Sequence, residues 1–165
     1  MSWRDDIREH RWRTWSGWPP LDEVVRVRGR PERGPRSRLE AQSARWESGA
    51  ALHFSIECPP SPAGVGQTAL SREPEPDTWL LGYWIVPDKW GQGFATECAS
   101  AVLELATDEL RARSVWAGTA PSNQASRRVL SKLGFEFRNE NPCGYTVGAL
   151  EVPTYEYEFV VEHAA

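Results

Sequence analysis

Cysteine is scarce in these 165 residues: Cys58, Cys98 and Cys143 are an odd number without metal-ligand spacing. A disulfide scaffold and a zinc site are thereby disfavoured, no metal is expected, and a reducing, cytoplasmic setting fits best. No apolar run approaches the ~18–20 residues of a membrane span, so no membrane partner is expected. Positive charge is not in excess either, since 19 Lys and Arg face 23 Asp and Glu. That argues against DNA or other nucleic acid held by bulk charge. The first residues are too charged and too rich in tryptophan for a signal peptide. One domain with a sizeable core suits the length.

What is present centres on Tyr83 to Glu97. An aromatic, apolar run from Trp79 to Val86 is long enough for one strand and is closed by Pro87. Behind it Ala95, Cys98, Ala99, Val102, Leu103, Ala106 and Leu110 fall on one helical face, at spacings 3, 4, 7, 8, 11 and 15 from the first. Between strand and helix stands Gly91-Gln92-Gly93. A strand, a glycine turn and a helix N-terminus present unpaired backbone N–H groups to an anion, a phosphate being the natural one. The plain alternative is an ordinary tight turn. Thr96 stands where the dinucleotide fingerprint needs a third glycine, and no Gly-Lys-Ser/Thr follows to make a Walker loop.

Two motifs carry a family resemblance. Gly82-Tyr83-Trp84-Ile85-Val86-Pro87 followed by Trp90-Gly91-Gln92-Gly93-Phe94-Ala95-Thr96-Glu97 resembles the acyl-CoA signature of the GNAT superfamily of N-acetyltransferases. Its wording is similar to the RimJ/RimL-like branch, which acetylates ribosomal-protein N-termini. Downstream, Asn123 to Phe135 (Asn-Gln-Ala-Ser-Arg-Arg-Val-Leu-Ser-Lys-Leu-Gly-Phe) resembles the same branch. The resemblance is good from about Ala51 to Phe137. It implies an α+β fold with a mixed, mostly antiparallel sheet of six to seven strands, splayed where acetyl-CoA enters, with flanking helices. It also implies that Ile85, Val86, Trp90, Gly91, Gln92, Gly93, Phe94, Ala95 and Thr96 bind the cofactor. Asn123 is implied at the pantetheine arm, Ser126 near the thioester sulfur and Arg127 near the phosphates. Many relatives place a tyrosine acid where this chain has Leu130, which shifts that role to Ser126 or water.

The remaining chain divides into a Trp/Arg-rich extension, 1–22, and a single acetyltransferase domain, 23–165. In the extension Trp3, Trp12, Trp15 and Trp18 alternate with arginines before Pro19-Pro20. A helix there packs its tryptophans on the domain or on a second subunit, in a homodimer, or else walls an acceptor site. Glu23 to Arg28 suits an edge strand, Arg28 to Arg36 a loop, and Ser37 to Ser48 a helix ended by Gly49. Ala51–Cys58, Gly64–Leu70, Ser114–Thr119, Phe135–Arg138 and Thr154–Val161 read as strands, with Asn139 to Pro153 an irregular loop. A helix opens with Asn123 as N-cap and ends at Gly134; Ala125, Val129 and Leu133 are its expected core face, beside Asn123, Ser126, Arg127 and Leu130.

The reaction implied is direct attack of an amine on the acetyl carbonyl. An N–H near Ile85 or Val86, left free by the splay, would hold the carbonyl oxygen. Trp79 to Val86 contains no Glu, Asp or His. His53, Glu57, Tyr83 and water are the candidate bases, with Tyr83 and Ser126 the catalytic pair. A site poor in bases suits an α-amine of pKa ~8 better than a lysine near 10.4. The acceptor is thus a protein N-terminus or a small-molecule amine. A catalytically silent acetyl-CoA-binding module and a ribosome- or RNA-associated binding protein, using the first 38 residues, stand as alternatives.

Overall fold

The computed structural model describes residues 26–29, 44–58, 64–147 and 150–161. The extension 1–22, residues 30–36 of the expected loop and residues 37–43 of the expected helix lie outside them. Seven strands form one sheet in the order β1-β2-β3-β4-β5-β7-β6. They are β1 (Arg26–Gly29), β2 (Ala51–Glu57), β3 (Gly64–Arg72), β4 (Thr78–Ile85), β5 (Ser114–Thr119), β6 (Glu136–Val147) and β7 (Leu150–Val160). Helices α1 (Phe94–Glu104) and α2 (Gln124–Lys132) follow β4 and β5. Residues 44–48 are also helical.

Alternation along the strands decides which face is covered. Leu52, Phe54 and Ile56 of β2 are fully buried, while His53, Ser55 and Glu57 between them are only partly so. The antiparallel register Phe54↔Thr68 and Thr68↔Tyr83 carries that face across to β4, where Trp79, Leu81 and Ile85 continue it. Against it packs α1, through Phe94, Cys98, Ala99, Val102 and Leu103, all under 8 % exposed. Trp46, from the 44–48 turn, meets Phe54 edge to face at 5.5 Å.

All pairings are antiparallel but one. β4 and β5 run parallel and share three residue pairs, Thr78↔Ser114, Trp79↔Val115 and Leu80↔Trp116. Beyond them the strands part, and this gap is the splay expected of the fold. β3 follows β4 to its end only because residue 66 is glycine: a Cβ there would collide with the Trp84 carbonyl.

Four expectations are corrected. Asn139 to Pro153 is not irregular; it belongs to a long β6–β7 hairpin, whose register shifts between Phe137 and Asn139 and between Asn141 and Tyr145. The shifts break the even polar/apolar alternation that marks a strand in sequence. The expected edge strand does not give way to loop after Arg28; it runs on through Gly29, which pairs with Phe54. The helix after the glycine turn ceases to be α at Glu104 and widens into a π turn, Leu105–Glu109, closed by Leu110 N–H donating to the Leu105 carbonyl at 3.1 Å. On α2 the buried residue is Leu130, 1 % exposed, while Ala125 faces solvent and Val129 and Leu133 flank the core.

Candidate active site

The glycine turn begins where β4 ends. Pro87–Lys89 makes one 3₁₀ turn, and then Gly91 and Gly93 take φ of 74° and 92°. A side chain would be strained at either angle, and a Cβ built on either would meet open space. The backbone is therefore bare toward solvent just where α1 starts. Gly93 is the N-cap, its carbonyl accepting from Glu97 N–H at 3.0 Å, and no side chain caps the first turn. The N–H groups of Phe94, Ala95 and Thr96 thus have no helical acceptor, the condition that suits an anion. Two side chains stiffen the turn. Gln92 Nε2 donates to the Asp88 carbonyl at 2.9 Å and Trp90 Nε1 to the Ile85 carbonyl at 2.7 Å. Lys89 Nζ lies over the Phe94 ring, 5.6 Å from its centroid, so a cation stands beside the bare turn.

At the splay the two expected oxyanion donors separate. Val86 N–H donates to the Val65 carbonyl at 2.8 Å and is unavailable, which corrects that expectation. Successive N–H groups of a strand point to opposite edges. That of Ile85 accordingly points away from β3, toward the gap.

Tyr83, two residues before Ile85, lies on the same face of β4. Its hydroxyl stands 2.8 Å from Ser126 Oγ and 3.4 Å from the Ser126 carbonyl oxygen, joining β4 to α2. Burial pushes the Tyr83 phenol up to about 12, the Ser126 hydrogen bond opposing and the nearby Cys98 thiol adding. Cys98 is itself pushed up to about 12 by burial and by Glu97 beside it. Both groups stay protonated near neutrality. Glu97 is raised by burial as well, and its Oε2 is enclosed without a hydrogen-bond partner.

The second motif positions α2. Asn123 Oδ1 accepts from Ser126 N–H at 3.1 Å, the capping bond that turns Ser126 toward β4. The Arg127 guanidinium lies against β7: Nε donates to Tyr157 Oη at 3.2 Å, Nη1 to the Pro121 carbonyl at 3.4 Å, and the group covers the Tyr155 ring at 5.1 Å.

The expected residues therefore form two groups, the turn from Trp90 to Thr96 and the trio Tyr83, Ser126 and Asn123, with Ile85 between them. His53 and Glu57 do not join Tyr83, because β3 intervenes and two strand spacings amount to roughly 9.5 Å. Odd–even alternation also sets His53 on the other face. Sequence reasoning missed Lys89 and Glu97. Lys89 had a signal, a cation two residues before the first glycine; nothing in the sequence shows that Glu97 is enclosed. Among the described residues no group of His, Cys, Asp and Glu could hold a metal, and no helix is long and apolar enough to cross a membrane.

Known proteins are similar to this chain in sequence or in fold. The probable N-acetyltransferase YjcK of Bacillus subtilis is 31 % identical over 104 residues, covering 62 % of this chain and 58 % of that protein. The chain thus spans less than two thirds of that curated relative. Mycobacterium smegmatis RimJ, solved in complex with CoA-disulfide, superposes with a TM-score of 0.69 at 22 % identity, covering 75 % of this chain and 59 % of that one. The microcin C7 self-immunity acetyltransferase MccE, solved with acetyl-CoA and AMP, superposes with a TM-score of 0.68 at 16 % identity, over 76 % and 69 % of the two chains. At such identities the superpositions speak for the fold. The profile of the acetyltransferase (GNAT) domain matches residues 5–136, and with the splay and the bare glycine turn in place, the chain belongs to the GNAT acetyltransferase family.

Proposed function

We propose that this protein is an N-acetyltransferase that moves the acetyl group of acetyl-CoA, the co-substrate of its family, to a primary amine. The observation that carries the reading is the parting of β4 from β5 after three pairs, with the bare N-terminus of α1 beside the gap. The residues present fit the co-substrate, since a Cβ at Gly91 or Gly93 would fill the space that a pyrophosphate needs. Backbone N–H groups from Gly91 to Thr96 hold the phosphates, with Lys89 adding charge, Trp90 bracing the turn and Asn123 reaching the pantetheine amide. On this reading residues 23–165 are the catalytic domain and 1–22 an extension.

When bound, acetyl-CoA supplies an activated carbonyl and a thiolate leaving group. Ile85 N–H donates to the carbonyl oxygen as negative charge builds there, an interaction worth ~3 kcal/mol of barrier. The Tyr83–Ser126 pair would give a proton to the departing thiolate as the C–N bond forms and the C–S bond breaks, and would regain it from water. Tyr83, neutral at pH 7 and hydrogen-bonded to Ser126, does from β4 what Leu130 cannot do from α2. The surplus amine proton leaves through water, no carboxylate or histidine being present on β4. Arg127 holds α2 to β7 so that Ser126 stays in place. The acceptor is a protein N-terminus or a small amine, a site poor in bases favouring amines of lowered pKa, and three cysteines with no disulfide among them suit the cytoplasm.

Thiol release from acetyl-CoA with a panel of amine-bearing peptides and small amines tests the reading. Amine-dependent release supports it. Release with none of them, in protein that still binds acetyl-CoA, would leave a silent binding module.

A further inference from the structure

The helix side of the splay is closed by Tyr83 and Ser126, so an acceptor has to arrive across the other face of the sheet. Strand registers set out what that face carries. His53 pairs with Ala69 and Ala69 with Gly82; across the gap Gly118 pairs with Glu156 and Glu156 with Asn139. Gly82 and Gly118 each lie two residues beyond the last β4–β5 pair, Leu80↔Trp116, and so face each other over the splay on the same side. Both are exposed. A Cβ at Gly82 would meet nothing within 4 Å, and one at Gly118 only Thr154 Cβ at 4.0 Å. The result is a trough with a side-chain-free floor, opening into the reaction gap. Leu80, 40 % exposed, and Trp116 edge it on one side; Trp84, 53 % exposed, edges it on the other, its indole donating to Gln67 Oε1 at 3.4 Å. At the β7 end stands the half-buried Glu156. Asn141 Nδ2 donates to its Oε1 at 2.8 Å, but among the described residues it has no cationic partner, whereas neighbouring Glu158 is paired with Arg138 at 2.9 Å.

We infer that this trough is the acceptor site and that it selects an amine carrying a second positive charge, of the diamine class. The inference rests on the acetyltransferase reading and names its substrate. One cationic end binds Glu156 between aromatic walls, and the chain lies over the glycine floor. The other end reaches the gap between Gly82 and Gly118; the second charge on the same short chain lowers its pKa below that of a monoamine, and its proton passes to water. Glu156 is one strand spacing from Gly118, so the two nitrogens stand roughly 5–8 Å apart. About three to five methylene groups, with bonds of ~1.5 Å, bridge that distance.

Thiol release is measured for 1,4-diaminobutane and for butylamine, in wild type and in Glu156→Gln, whose amide keeps the Asn141 contact. Wild type is expected to prefer the diamine by at least ~10-fold in kcat/KM, and the variant to lose most of that preference. Gly82→Leu, which has room to fold, is expected to raise KM for the diamine by ~10-fold or more while the thermal shift with acetyl-CoA persists. A diamine preference near one in wild type, or one retained by Glu156→Gln, overturns the inference and leaves acetyl transfer standing. Release with no amine at all overturns the transferase reading and the inference with it.

Discussion

The hydroxyl of Tyr83, on the fourth strand, lies 2.8 Å from that of Ser126, on the helix that follows the fifth. At this level β4 and β5 have already parted, so the two halves of the sheet are joined again through α2 on the helix side. In the proposed mechanism this hydroxyl pair is the proton source, and it also closes the cleft on the helix side.

Tyr83→Phe removes the phenol and keeps the ring. A kcat loss of about 10–100-fold is expected, the low end of general-acid effects because CoA thiolate leaves readily, with CoA affinity within ~2-fold. Ser126→Ala should cost less, since the phenol remains. The folded-state pKa lies above the free value of 10.0, so stability gained by keeping the phenol neutral is complete below pH 10 and lost as pH rises toward 12. Accordingly, ionisation of Tyr83 should produce no descending limb in the pH profile of kcat below pH 10. An unchanged kcat in the phenylalanine variant would leave water as the donor.

Gly93→Ala puts a Cβ on a residue with φ of 92° and into the space that a pyrophosphate needs. The strain is worth ~1–2 kcal/mol, a Tm drop of about 5 °C. Acetyl-CoA affinity, by calorimetry, should fall by at least ~10-fold in the folded variant. Equal affinity would reduce Gly93 to a turn residue.

Arg127→Ala should lower Tm, through loss of the Tyr157 and Pro121 bonds and the Tyr155 stacking, and change CoA affinity by less than ~3-fold. Lysine should not rescue it, having no planar fork to meet the three partners. A large loss of affinity at constant Tm would instead place the guanidinium on the phosphates.

Glu97→Gln removes a charge that burial disfavours. Because the folded-state pKa is raised above 4.5, the wild type is relatively most stable below that pH and loses ground as pH rises through the folded value. The variant should therefore gain about 2 °C in Tm at pH 7 and nothing at pH 4. An equal gain at both would mean that the charge is not the cause.

Legibility in the sequence followed the regularity of the physics. The central strand was readable because its aromatic, apolar run is closed by Pro87, and α2 because Asn123 and Gly134 mark its ends. The π turn was not, since Ala106 and Leu110 keep helical spacing while the hydrogen bond of Leu110 reaches back five residues, to Leu105, instead of four. The β6–β7 hairpin was hidden by two register shifts, which put side chains out of phase. At the site, the glycine turn announced itself through residue type. The orientation of Arg127 depends on β7, some 30 residues away in sequence, and on aromatic partners that no local pattern names.

The three pairs that join β4 to β5 also make the chain divisible. A cut in the 110–113 connection would leave one fragment holding β1 to β4 with α1, and another holding β5 to β7 with α2. Each would keep a complete set of antiparallel neighbours, and the seam between them would be the cleft itself. Fragment complementation of this kind would report ligand directly, because a molecule filling the cleft touches both pieces, and reassembly would then titrate with co-substrate.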